Sequence, residues 1–390
     1  MQAQAVGENA VSGRALDILQ TPFFLVDEVA VRRQATLIRR YTDSAGCRLL
    51  YSVKANPLPD VLTILASYVD GFGVSSLSEA HAVRTAIGTG GDLHAFSVAI
   101  QPNDVAELTE LADYVSLNSY GEFSRHRPLL ENRVQIGLRI NPGTSFVQDP
   151  RYDPCRSHSK LGVPLSEAMS MDITGIDGIH VHANCDSHDL GHIKSMVDHL
   201  AENFPEILEK VNWVNLGGGY LFETDTEIGP LAEVVEFLQS RFSLSVFIEP
   251  GATFVRNACS IVATVLDIFN SSGKTIAILD TTVNHMPEVF EYQIQPDVVG
   301  HIDGAAYSYT LAGLSCLAGD LFGEYGFAKP LTIGSRVVFE NAGAYTLAKA
   351  HTFNGIALPI TYTLSEDCLL YTSDAADDTP CVDLGGRRII

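Results

Sequence analysis

Short apolar runs of β-like composition alternate with amphipathic segments through the first two thirds of the chain. The runs are RLLYSV (48–53), GFGV (71–74), HAFSV (94–98), DYVSL (113–117), QIGLRI (135–140), GIHVHA (178–183), WVNL (213–216) and SVFIEP (245–250). Between them, apolar residues recur at three- and four-residue spacing in LPDVLTILASYV, SEAHAVRTAI, NDVAELTELA, HIKSMVDHLAENFPEILEKV and LAEVVEFLQSRF. That spacing predicts helices. Eight strand-then-helix units between residues 48 and 250 predict an α/β fold, a TIM (β/α)8 barrel. An open doubly wound sheet is the alternative, and the count of eight favours closure.

After residue 256 the texture changes. ACSIVATVLDIF, KTIAILDTT, AAYSYTLAG, SRVVFENAGAYT and LPITYTL read as strands joined by turns, which predicts a C-terminal all-β domain. The expected bounds are 22–255 for the barrel and 256–366 for the β domain, with residues 1–21 packing on the latter. TPFFLVD (21–27), followed by the helical VAVRRQATLIRRY, is placed to bridge the two. From Cys368 onward the amphipathic period is lost. Residues 367–390 are expected to be foreign to the fold, similar to a translated sequencing adapter, or disordered.

Composition narrows the class. The 390 residues are 46% hydrophobic and 18% charged, enough to bury a core, so wholesale disorder is excluded. The formal net charge of −22 speaks against nucleic acid as a partner and suits a small cationic substrate. No apolar stretch approaches the roughly 20 residues of a membrane span, and the opening residues lack the basic and apolar regions of a secretory signal. The seven cysteines are scattered without a CxxC pair. A metal site is therefore not expected, and a reducing, cytoplasmic setting is.

On a TIM barrel the chemistry sits at the C-terminal strand ends. Lys54 follows the first strand in YSVKANP, Arg139 closes the fifth in LRINP, and His182 the sixth in HVHANC. The seventh runs into Gly217, Gly218 and Gly219, and the eighth ends in Glu249, Pro250 and Gly251. A lysine among apolar neighbours favours an uncharged amine able to attack a carbonyl, although a lysine paired with an acid is the plainer reading of that residue alone. Three glycines after strand seven leave backbone N–H groups free to meet an anion, and equally make a turn. Glu249 suits a protonated ring nitrogen or a structural ion pair; His182 suits ring stacking, acid catalysis or a satisfied core position. Cys316, in LAGLSCLAGD, reads alone as a small buried hydrophobe. The combination, in that order around one barrel, is far more specific than any member.

YSVKANP, HVHAN, NLGGGY, IEPG, the Cys316 segment and FENAGAYT together resemble the fold-type III decarboxylases dependent on pyridoxal 5'-phosphate (PLP), whose architecture is that of alanine racemase and ornithine decarboxylase. The resemblance spans residues 20–365. Within that group LRINPGTSFVQDPRYDPC, WVNLGGGY, the HMPEV segment and CLAGDLFGEY are most similar to the carboxynorspermidine/carboxyspermidine branch. YSVKANP and FENAGAYT lie nearer the ornithine and diaminopimelate branches, and Ala252 follows EPG where those branches carry Arg.

The resemblance implies a PLP-dependent carboxy-lyase of polyamine biosynthesis that releases norspermidine or spermidine and CO2. The alternatives are a decarboxylase of diaminopimelate or an ornithine-type diamino acid, racemase-like chemistry, and a non-catalytic PLP-binding homologue. It implies that Lys54 bonds PLP covalently, His182 stacks on the ring and Glu249 pairs with the ring nitrogen. Gly218, Gly219, Gly251 and Tyr345 would hold the phosphate side, Arg139 would support the cofactor, and Ser76 and Glu79 would assist. Cys316 would be the general acid, delivered from the partner subunit of a homodimer with shared active sites. Glu288, Asp320 and Glu324 would receive the distal amine of a small cationic amino-acid substrate.

Overall fold

The computed structural model describes residues 19–147 and 149–365, and the backbone of two further strands at 368–372 and 381–383. These form two compact units: Arg32–Phe254, and the residues before Arg32 together with those from Val255 on. Strand β1 (Phe23–Asp27) belongs to the second.

The first unit contains β2 (Arg48–Ser52), β3 (Gly71–Val74), β4 (Asp92–Phe96), β5 (Tyr114–Leu117), β6 (Gln135–Asn141), the two-residue β7 (Val163–Pro164), β8 (Gly178–Val181), β9 (Trp213–Asn215) and β10 (Ser245–Ile248). Pairing runs β5-β4-β3-β2-β10-β9-β8-β6, all parallel, and β5 pairs with β6 to close the ring. This is the eight-stranded barrel the hydrophobic pattern predicts, with β7 appended to the side of β6.

The helices form for local reasons. Ser76 and Ser119 each cap a helix by accepting the N–H of a glutamate three residues on, Glu79 and Glu122, at 3.1 Å. Helices Gly191–Asn203 and Gly229–Phe242 bury Ile193, Met196, Val197 and Leu200, and Leu231, Val234, Val235 and Leu238. Those positions make one apolar stripe on each helix, and the two helices pack together.

Inside the barrel, Trp213, Phe247 and Leu50 form an apolar plug. Its indole needs glycine on the neighbouring strands: a Cβ at Gly178 would lie 2.0 Å from the Trp213 ring and one at Gly137 2.5 Å from it. Truncating such a ring costs about 3–5 kcal/mol. One step along the strands, the register aligns Arg139, His180 and Asn215 in a row across β6, β8 and β9. Apolar filling thus gives way to polar side chains on the way to the C-terminal mouth.

The second unit is built on β11 (Cys259–Ser271), β12 (Lys274–Leu279), β13 (Tyr307–Ala312), β14 (Leu321–Phe327), β15 (Arg336–Phe339) and β16 (Ile360–Leu364). Phe322, Phe339, Tyr325 and Leu311 anchor its core. β1 lies between antiparallel β11 and parallel β16, with residues 23–26 buried. A closed ring offers it no free edge, so it joins this sheet instead of the barrel. Strand β14 was not among the expected strands, since Gly323 and Gly326 interrupt its pattern. Conversely, SRVVFENAGAYT yields only Arg336–Phe339, because Asn341 and Tyr345 take left-handed backbone at φ 59° and 65°. Of the segment read as foreign or disordered, β17 (Cys368–Thr372) and β18 (Cys381–Asp383) are described, β17 running antiparallel to β16. The rest of it, and residues 1–18, lie outside the described residues.

Candidate active site

The C-terminal ends of β8, β9 and β10 converge on one hydrogen-bonded network. Glu249 is 8% exposed. Its Oε2 accepts from Asn215 Nδ2 at 2.8 Å, and His180 Nε2 lies 3.4 Å from Oε1, off the line of a hydrogen bond. Burial opposes ionisation of the carboxyl, but His180, Lys54 and Asn215 together outweigh it and hold its pKa far below the ordinary range. The Glu249 N–H donates to Gly217 O at 2.8 Å, and Ser52 Oγ donates to the Glu249 carbonyl at 2.8 Å.

The glycine turn is obligatory. Gly217 and Gly219 have φ of 73° and 86°, where side chains are strained. Gly218 lies against β10, and a Cβ there would sit 2.4 Å from the Glu249 carbonyl oxygen. The sequence left these N–H groups open either to an anion or to a turn. The structure uses two of them internally: Gly217 N–H donates to Asn215 Oδ1 at 2.8 Å and Gly218 N–H to His182 Nδ1 at 3.0 Å. Gly219 is half-buried at the surface of the turn.

Lys54 occupies a single 3-10 turn after β2. Its neighbours Val53 and Ala55 are buried while Lys54 itself is exposed, so the apolar flanks anchor the turn and present the amine. Lys54 and His182 line one open cavity of about 650 Å³, together with Phe96 and Arg139. Lys54 also lines an adjoining cleft with Glu249, His180, Asn215 and Gly73. Half-buried His182 has its pKa lowered well below the ordinary value, chiefly by burial and then by Arg139 and Lys54.

Arg139 is 5% exposed, its guanidinium 4.5 Å from the centre of the Phe96 ring, and burial lowers its pKa to about 10. Glu79 Oε2 accepts from Ser75 N–H at 2.6 Å; burial raises its pKa against the pull of that bond and of Lys54. Ser76 and Glu79 thus shape the helix start beside the lysine. Gly251 is packed so that a Cβ would lie 2.9 Å from Ala55 and 3.0 Å from Ser52, which clamps the β10 exit onto the Lys54 turn.

The remaining expected residues lie in the sheet unit. Cys316 is exposed on a turn whose two ends are stapled. Asp320, 3% exposed, accepts from Val283 N–H at 2.7 Å, Ser315 N–H at 3.0 Å and the Ser315 hydroxyl, while Cys316 N–H donates to Asn354 Oδ1 at 2.9 Å. Thr346 donates to Glu288, whose pKa burial raises. Glu324 is exposed on β14 and paired with Lys274. Tyr345 precedes the short helix Thr346–Lys349.

Sequence reasoning missed Asn215 and His180. The alternation in GIHVHA carried the signal, since residues two apart on a strand share a face and His182 therefore brings His180 with it. It also missed Arg151, Arg156 and Lys160, which line the large cavity from a loop without periodicity.

Residues 29–256 match the family described as pyridoxal-dependent decarboxylase, pyridoxal binding domain. The chain is 32% identical over 345 residues to a carboxynorspermidine/carboxyspermidine decarboxylase of Herminiimonas arsenicoxydans, covering 88% of this chain and 93% of that protein. It is also 32% identical to a carboxyaminopropylagmatine decarboxylase of Synechocystis, covering 90% and 92%. Among solved structures, the carboxynorspermidine decarboxylase of Campylobacter jejuni complexed with norspermidine superposes with a TM-score of 0.81 at 27% identity, covering 89% of this chain and 95% of that one. The barrel, its converging strand ends and these similarities together make this chain a member of the pyridoxal-dependent decarboxylase family.

Proposed function

We propose that this enzyme decarboxylates carboxynorspermidine or carboxyspermidine, releasing norspermidine or spermidine and CO2. The similarity to proteins of that name, over nearly the whole of both chains, carries the substrate reading. The convergence of Lys54, His182 and Glu249 at one barrel mouth supports the chemistry.

The donor set fits PLP. A buried carboxylate held ionised beneath the mouth suits a protonated ring nitrogen, a neutral imidazole suits a ring face, and an exposed amine suits an aldehyde. When bound, PLP supplies the sink for the electrons released as the bond from Cα to the carboxylate breaks. Lys54 would hold the cofactor covalently, His182 would stack on its ring, and Glu249 would keep the proton on the ring nitrogen. Gly218, Gly219, Gly251 and Tyr345 would serve the phosphate side. Arg139 would support Glu249 electrostatically, and Ser76 and Glu79 would fix the approach to Lys54.

Cys316 is our choice for the acid that returns a proton to the product carbon, delivered from a second copy of the chain. The stapling of its turn by Asp320 and Asn354 supports a positioned thiol. Glu288, Asp320 and Glu324 are the acids proposed for the distal amine. The oxygens of Asp320 are already engaged within the turn, which favours the other two. We place the enzyme in the cytoplasm; no helix among the described residues is long and apolar enough to cross a membrane.

A second substrate reading, carboxyaminopropylagmatine, has the support of the Synechocystis relative at the same identity. A panel of carboxynorspermidine, carboxyspermidine, carboxyaminopropylagmatine, diaminopimelate and ornithine, read out as CO2 release, separates these. The first two should be fastest. Turnover of diaminopimelate or ornithine with neither carboxypolyamine consumed would reject the proposal.

A further inference from the structure

We propose that Asn215 is a positioning residue that ties the Glu249 carboxylate to the glycine turn, so that one side-chain amide sets both ends of the cofactor cradle. The inference rests on the PLP-dependent reading above.

Both ends of the amide are used. Nδ2 donates to Glu249 Oε2 and Oδ1 accepts from Gly217 N–H, each at 2.8 Å. Asn215 is 2% exposed and sits in register between His180 on β8 and Phe247 on β10, so its side chain has little freedom to turn. The Glu249 N–H separately donates to the Gly217 carbonyl at 2.8 Å. Gly217 and Glu249 are therefore linked twice, once through backbone and once through Asn215. From the turn the chain of bonds continues through Gly218 N–H to His182 Nδ1. The acid for the ring nitrogen, the turn on the phosphate side and the imidazole for the ring face are held as one body, with Asn215 at its branch point.

The position demands a donor at one end and an acceptor at the other, which an amide supplies. A leucine of similar volume leaves a buried N–H unpaired and the carboxylate without its donor. An aspartate keeps the acceptor for Gly217 but sets a second anion against Glu249, which works against the ionised form of either group. The two substitutions therefore separate the two arms.

The test compares wild type with Asn215→Asp and Asn215→Leu. PLP affinity is measured by titrating each apoprotein with PLP, and the absorption spectrum of bound PLP is followed against pH. Thermal unfolding of the apoproteins serves as the structural control. Asn215→Asp should shift the pH dependence of the spectrum while weakening PLP binding less than Asn215→Leu. Asn215→Leu should weaken binding at least tenfold and shift the spectrum as well. Wild-type affinity and an unmoved pH profile in both variants would overturn the proposal, as would a fall in apoprotein melting temperature as the sole effect of Asn215→Asp. A wild-type protein that fails to bind PLP would instead overturn the cofactor reading itself, which the titration reports separately.

Discussion

Gly218 donates its backbone N–H to Nδ1 of His182 across 3.0 Å, which fixes the histidine as the tautomer with its proton on Nε2. The ring cannot take a second proton without losing that bond. Burial, Arg139 and Lys54 all oppose the charged form. His182 should therefore stay neutral through the pH range in which an ordinary histidine takes up its proton. Nitrogen-15 NMR of labelled imidazoles checks this: a signal for Nδ1 that remains unprotonated across the range is expected, and titration near the ordinary histidine pKa would contradict it.

Gly218→Ala should be far more damaging than Gly229→Ala. The added Cβ at 218 meets the Glu249 carbonyl oxygen at 2.4 Å and the Pro250 Cα at 3.4 Å, whereas at 229 nothing lies within 4 Å. Overpacking of this kind costs about 1–3 kcal/mol. Urea unfolding should show that loss for Gly218→Ala, with Gly229→Ala near wild type.

The Glu249 carboxyl has a lowered pKa in the folded chain, so its ionisation stabilises the fold above the ordinary value of 4.5. That contribution is lost as pH falls below 4.5 toward the folded value. The stability difference between wild type and Glu249→Gln should accordingly be constant at neutral pH and change only in acid. Activity of Glu249→Gln should drop about a hundredfold, the scale of removing one electrostatic group from an active site. Equal pH profiles of stability in both proteins would argue that folding does not lower the Glu249 pKa.

Much of this site was legible along the chain because each barrel strand is short, apolar and followed by a residue of distinct chemistry. Lys54, His182 and Glu249 could be named by counting strands, since a parallel barrel puts every C-terminal strand end at one mouth. Asn215 was hidden because its partners, Glu249 and Gly217, become meaningful only once β9 and β10 are in register. The sheet partners of β1 were hidden for a similar reason: β11 and β16 lie more than two hundred residues away. The exposure of Lys54 could not be read from its neighbours, because apolar flanks say where the turn is anchored and not where its central side chain points. In the sheet unit, Gly323 and Gly326 disguised β14, whose pairing with β13 overrides their poor strand preference.

Thiol chemistry separates the cysteines. Burial raises the pKa of Cys47, Cys155 and Cys259 to about 12, while Cys185 and Cys316 are exposed. Among the described cysteines, a thiol reagent at pH 8 should modify these two first. Inactivation should persist in Cys185→Ser, whereas the residual activity of Cys316→Ser should no longer respond to the reagent. The reverse result would remove Cys316 from its proposed role as acid.

Sharing of sites between subunits predicts complementation. Lys54→Ala and Cys316→Ala chains, each inactive, should recover part of the activity when mixed and refolded together. No recovery, with dimers of both chains demonstrated, would mean that each site is built from one chain.

Borohydride reduction of the PLP-loaded enzyme, followed by digestion and mass spectrometry, tests the central claim most directly. A pyridoxyl mass on the peptide containing Tyr51–Pro57, placed on Lys54, is predicted. A pyridoxyl group on any other lysine, with Lys54 unmodified, would contradict the account.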